Sequence, residues 1–102
     1  MLQQDILDYL KDFKNSSKNK LFTDIGIFGS YAKNIADSYS DIDVAVRLNR
    51  DSLIKYDVWD YFDAIEMIKN ELFKRFNLKS DIFDLDSISP FKDKIEKEVI
   101  YV

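Results

Sequence analysis

The stretch Ile27-Phe28-Gly29-Ser30-Tyr31-Ala32-Lys33-Asn34, followed after a polar interval by Ser40-Asp41-Ile42-Asp43-Val44-Ala45-Val46, decides how this chain is read. From Leu21 to Phe28 β-branched and aromatic residues dominate, which predicts a strand that stops at Gly29-Ser30. Ser30 is a candidate N-cap for a short helix through Tyr31, Ala32 and Lys33. The small, polar run from Asn34 to Ser40 builds little regular structure. Asp41 to Leu48 then alternates strictly. Ile42, Val44, Val46 and Leu48 fall on one face and Asp41, Asp43, Ala45 and Arg47 on the other, which predicts a strand with carboxylates on its second side.

Outward from this centre, Leu2, Ile6, Leu10 and Phe13 recur at helical spacing among Asp5, Asp8, Lys11 and Asp12, so the first segment is predicted to be an amphipathic helix. Residues 15–20 (Asn-Ser-Ser-Lys-Asn-Lys) read as a polar turn. Val58, Phe62, Ile65, Ile68, Leu72 and Phe76 follow a 3.6-residue period without Gly or Pro, giving the longest helix, from about Lys55 to Phe76, with Asp60, Asp63, Glu66 and Lys74 on its wet side. Asp81 to Leu85 is a further short strand. Pro90 punctuates a loop, and Phe91 to Ile100 reads as a closing helix. The order α-β-α-β-α-β-α predicts an α/β or α+β fold in which helices flank a small mixed β-sheet.

The chain has 102 residues, 46% hydrophobic and 33% charged, which fits one small domain over residues 1–102. At this size an additional substrate-binding lobe does not fit, so any chemistry runs on a minimal scaffold or borrows surface from a partner. With 15 basic and 19 acidic residues the net charge is −4, both signs interspersed, and no basic footprint for nucleic acid is expected. Cys and His are absent, which excludes disulfides, thiol nucleophiles, imidazole acid/base chemistry, Ser-His-Asp triads and zinc fingers. The charged residues of the first segment exclude a signal peptide or membrane span there, leaving a soluble cytoplasmic protein as the expectation. Fifteen per cent of the chain is aromatic, more than so small a core requires, so some aromatics are candidates to face a partner.

Asp41 and Asp43 project together because side chains i and i+2 share a strand face. Two adjacent carboxylates repel, which raises a pKa unless cations neutralise them, and hard oxygen donors suit Mg²⁺ or Mn²⁺ rather than zinc. Asp81 on the later strand offers a third carboxylate, with Asp84 as the alternative. Those two lie three residues apart, so on an extended strand only one can join the site. Two divalent ions held by such a set clamp the attacking and leaving oxygens of phosphoryl chemistry. Gly29 permits close backbone approach, and Ser30 offers a hydroxyl and N–H groups to phosphate oxygens. With Gly26 and Gly29 the only glycines, neither a Walker A loop nor a dinucleotide fingerprint is present. The plain alternatives are a capped strand-to-helix turn at Gly29-Ser30 and solvated acids on a half-exposed strand.

Strand, Gly-Ser, short helix and Asp-Ile-Asp in this order resemble the nucleotidyltransferase superfamily with a DNA polymerase β-like active site. The segments IFGSYAKN, SDIDVAV and SDIFDLD resemble the minimal nucleotidyltransferases, the MntA-like antitoxins paired with HEPN toxins. The resemblance implies that AMP is transferred from ATP to a hydroxyl, a tyrosine of the HEPN ribonuclease for the antitoxins. It implies that Gly29 and Ser30 bind the β and γ phosphates, that Asp41 and Asp43 ligate two Mg²⁺ ions (or Mn²⁺), and that Asp81 holds the catalytic ion and assists deprotonation of the acceptor. Lys33 stands where the family often has Arg, keeping the charge for a phosphate without the bidentate fork, and Asn34 stands where it often has Gly. An antitoxin that neutralises its partner by contact alone, with an idle site, is the second reading. Transfer to a small molecule such as an aminoglycoside is a third.

Overall fold

The alternating segment becomes an inner strand of a four-stranded sheet. The computed structural model describes residues 2–16, 21–51 and 55–102. Its elements are α1 (Leu2–Ser16), β1 (Phe22–Phe28), α2 (Gly29–Ala32), β2 (Ile42–Leu48), α3 (Val58–Phe76), β3 (Ser80–Asp84), α4 (Lys92–Glu98) and β4 (Ile100–Tyr101). The strands lie in the order β3-β2-β1-β4. β1 is antiparallel to both β2 and β4, whereas β2 and β3 are parallel. A parallel pair needs a crossover, and α3 supplies it. Among the described residues no helix is long and apolar enough to cross a membrane.

Ile25 and Ile27 of β1 and Ile42, Val44 and Val46 of β2 point to one face, where Ile6 and Leu10 of α1 and Ile68 and Leu72 of α3 cover them completely. Each such side chain contributes roughly 1.5–3 kcal/mol relative to its exposed state. The core face therefore holds the sheet together and leaves the other face open to polar residues.

Several boundaries differ from the sequence expectation. α1 runs through Ser16, so 15 and 16 are helical, and the rest of the predicted turn at 17–20 lies outside the described residues. α3 begins at Val58 rather than near Lys55 because Asp57 caps it: its carboxylate accepts from the N–H groups of Trp59 (2.9 Å) and Asp60 (3.1 Å), and Asp60 accepts from the Asp57 N–H in return. Val58 and Phe62, expected in the buried stripe, are more than half exposed. The apolar arc of α3 is wider than the sheet can cover, and burial centres on Ile68 and Leu72. The predicted closing helix is shorter, Lys92–Glu98, and Ile100 belongs instead to β4, an unpredicted strand paired at Gly26 and Ile27. A Cβ at Gly26 would collide with the Ile100 carbonyl and the Val99 side chain, so the missing side chain lets this segment lie against β1.

On the open face Arg47 binds three carboxylates: Asp24 of β1 (3.1 Å), Asp86 after β3 (3.3 Å) and Glu96 of α4 (3.0 Å). It ties α4 and the loop before it onto the sheet. Arg47→Met is expected to destabilise the fold by about 1.5–3 kcal/mol in urea unfolding, since half-buried acids lose a charged hydrogen-bond donor. A loss below about 0.5 kcal/mol would reduce the cluster to ordinary surface pairs.

Candidate active site

Backbone register assembles the site. Phe28 of β1 pairs with Asp43 of β2, and Asp43 pairs with Asp81 of β3, so all three side chains occupy one row on the face away from the core. Asp41 stands exposed immediately before β2, where the Ile42 N–H donates to the Lys79 carbonyl at 2.9 Å and ties the start of β2 to β3. Asp84 pairs with Val46 and shares the core-side parity. Its carboxylate accepts from the Asp86 N–H (2.8 Å), and its charge acts on Tyr61 of α3. Burial, followed by the charge of Asp84, pushes the Tyr61 phenol up to about 12. The structure thus brings Asp81, and not Asp84, beside Asp43.

Gly29 follows Phe28 with φ +71°, in the left-handed region that glycine enters at little cost. A Cβ there would run into the Asp43 carboxylate, so the turn and the carboxylate touch only because residue 29 has no side chain. Ser30 is not the N-cap expected from sequence. The helix opens at Gly29 with Phe28 in the cap position and no side-chain capping bond. Glycine's accessible φ starts the turn one residue early and places the half-buried Ser30 inside it. Asn34 adopts φ 62°, the left-handed conformation its short amide tolerates. Lys33 is engaged with Glu98 of α4 at 3.1 Å.

Burial, then the charge of Asp81, then that of Asp41, holds the Asp43 carboxyl above the usual carboxylate range. This is the electrostatic signature of a place that favours added positive charge. Among the described residues no three acidic side chains are drawn together tightly enough to form a ready-made metal cage. The donor set nevertheless fits a hard divalent cation: it consists of carboxylates, at least two adjacent in register and mutually repelling. Along the same face, Phe28 and Phe83 meet edge to face at 6.1 Å between centroids and give the carboxylates an aromatic flank. Sequence reasoning missed this pair, although the i, i+2 spacing of Asp81 and Phe83 placed them on one side. It also missed Glu98, for which no local signal exists.

Residues 7–102 match the family described as Nucleotidyltransferase domain. Two relatives from Methanocaldococcus jannaschii carry the name "Putative protein adenylyltransferase". MJ0126 is 31% identical over 106 residues, and MJ0128 is 34% identical over 101, each alignment covering 96% of this chain and 95% of the relative. A crystal structure of a toxin-antitoxin with AMP-PNP is similar in fold, with a TM-score of 0.62 and 23% identity over 99% of this chain and 72% of the other. The four-stranded mixed sheet, the helices around it and the Gly-Ser turn beside the aspartate row all accord with these matches, and the chain belongs to the nucleotidyltransferase domain family.

Proposed function

We propose that the chain is a protein adenylyltransferase of the antitoxin type, acting as a single minimal domain in the cytoplasm. It takes AMP from ATP and places it on a hydroxyl of a partner protein, a tyrosine of a HEPN ribonuclease toxin. The observation that carries this reading is the pairing of Asp43 with Asp81 on one sheet face, with Asp41 two residues upstream and Gly29 against the Asp43 carboxylate. The relatives named as protein adenylyltransferases and the fold shared with a toxin-antitoxin structure support it.

In this reading the Gly29 backbone and the Ser30 hydroxyl hold the β and γ phosphates. Asp41 and Asp43 hold two Mg²⁺ or Mn²⁺ ions, with Asp81 sharing the catalytic one. Divalent cations there supply charge neutralisation for the triphosphate and the departing pyrophosphate. Asp81 accepts the proton of the acceptor hydroxyl as its oxygen attacks the α-phosphorus in line with the leaving group. Lys33 reaches a phosphate only by exchanging its bond to Glu98. Positioning and electrostatics account for the rate, and the partner provides the surface that aligns the acceptor.

The test is transfer of label from α-labelled ATP, with Mg²⁺, to the protein encoded beside this one. Label on the partner that disappears with the Asp41→Asn/Asp43→Asn double variant is the expected result. A stable complex that never acquires label would point to neutralisation by contact alone.

A further inference from the structure

We propose that Tyr39 is itself an acceptor of AMP, so that the protein adenylylates its own chain at the edge of the carboxylate site. The inference rests on the transfer reaction proposed above and names a second acceptor for it.

The six tyrosines of the chain differ sharply in access. Tyr9 and Tyr31 are 7% and 6% exposed, and Tyr56 and Tyr61 pack against the core. A phosphodiester on Tyr9 or Tyr31 requires the core to open, and one on Tyr56 or Tyr61 disturbs side chains packed against it. Tyr101 is partly exposed but belongs to β4, with β1 between it and the row of Asp43 and Asp81. Tyr39 is 92% exposed. Its phenol can accept a bulky group with no loss of packing.

Position strengthens the choice. Tyr39 precedes Asp41 by two residues, so the two Cα atoms are at most about 7 Å apart, a distance a tyrosine side chain spans. The backbone that carries it is fixed: the Tyr39 N–H donates to Asp37 Oδ1 at 2.8 Å, the Ser40 hydroxyl donates to the same oxygen at 3.2 Å, and the Ser40 N–H donates to the Asp37 carbonyl at 3.2 Å. The loop therefore carries an exposed phenol two residues from the first carboxylate. A hydroxyl of this class is what the proposed chemistry consumes.

The step balances without a further reactant. The Tyr39 oxygen forms a bond to the α-phosphorus of ATP while the bond from that phosphorus to the bridging oxygen breaks. Pyrophosphate leaves with the electron pair, and the phenolic proton passes through a neighbouring carboxylate to water. The product puts an additional negative charge and an adenosine next to Asp37 and Asp41. That charge and bulk oppose entry of another ATP, so the modification limits itself to one AMP per chain and silences the site.

The experiment uses the purified full chain alone with ATP and Mg²⁺, read by intact mass and by fragmentation that locates the adduct. Expected are one AMP on Tyr39 in the parent, a fall of about tenfold or more in Tyr39→Phe, and no change in Tyr101→Phe. Circular dichroism confirms that the exposed substitution leaves the fold intact. Undiminished labelling of Tyr39→Phe, or an adduct on another residue, overturns the proposal. An unlabelled parent that still binds AMP-PNP through Asp41 and Asp43 overturns it while leaving the proposed function standing. Loss of that binding as well would remove both.

Discussion

Replacing Asp43 with asparagine is expected to abolish AMP transfer and, in the same protein, to raise the melting temperature measured without divalent cations. Asp43 is partly desolvated and faces Asp81 across the β2-β3 ladder, and these causes hold its proton affinity above the ordinary carboxylate range. The sign follows from linkage: a carboxyl whose folded pKa lies above its unfolded value binds the proton more tightly in the folded state. Folding is therefore favoured below the unfolded pKa, and the penalty grows as pH rises through the interval up to the raised folded value. Above the raised folded value the penalty is complete. An amide removes the ionised charge, and like charges on adjacent strands cost on the order of the 0.2–1 kcal/mol of other cross-strand pairs. For a domain of this size that corresponds to a rise of about 1–6 °C.

Transfer is expected to fall about 10³-fold or more, because the amide cannot supply the negative charge that holds a divalent ion against the triphosphate. Mg²⁺ titration separates the two effects. The parent gains stability as Mg²⁺ binds the folded state, and Asp43→Asn loses most of that gain. A variant that melts lower than the parent and still responds to Mg²⁺ would show that Asp43 serves the fold instead of the cation.

Gly29→Ala carries the second large effect. At φ +71° an L side chain costs about 1–2 kcal/mol, and its Cβ also meets the Asp43 carboxylate. The obstructing atom is the end of a side chain, so the carboxylate rotates away and the fold survives. A displacement of this kind costs about 10²-fold in transfer, since reacting groups misplaced by an ångström lose their alignment. Unfolding midpoints and initial rates measured together check the combination. A rate equal to the parent's would mean that the contact between the turn and Asp43 has no part in the reaction.

How much of this was legible in the sequence depends on the length over which each signal extends. Ile42, Val44 and Val46 alternate for a whole strand, and the structure buries all three, as that pattern requires. The 3.6-residue period located α3 but not its facing, because Val58 and Phe62 continue the apolar arc beyond the width of sheet available. β4 has only two residues and no periodicity of its own; it exists because Gly26 leaves room for Ile100. At the site, parity separated Asp81 from Asp84 without choosing between them. The choice comes from the β2-β3 register, a non-local property that sets Asp81 beside Asp43 and turns Asp84 toward Tyr61. Gly29-Ser30 was legible as a turn. Which of its residues began the helix was not, since glycine's φ and serine's capping preference compete at adjacent positions.

The parallel pairing of Asp43 with Asp81 has a kinetic consequence. These residues are joined by α3 and its connections, so no local hairpin can bring them together, and their approach awaits closure of a long loop. Charge repulsion between the two carboxylates is deferred to the same moment. If the proposed transfer runs on this pair, activity is expected to return during refolding only as that ladder closes, which refolding assays can time.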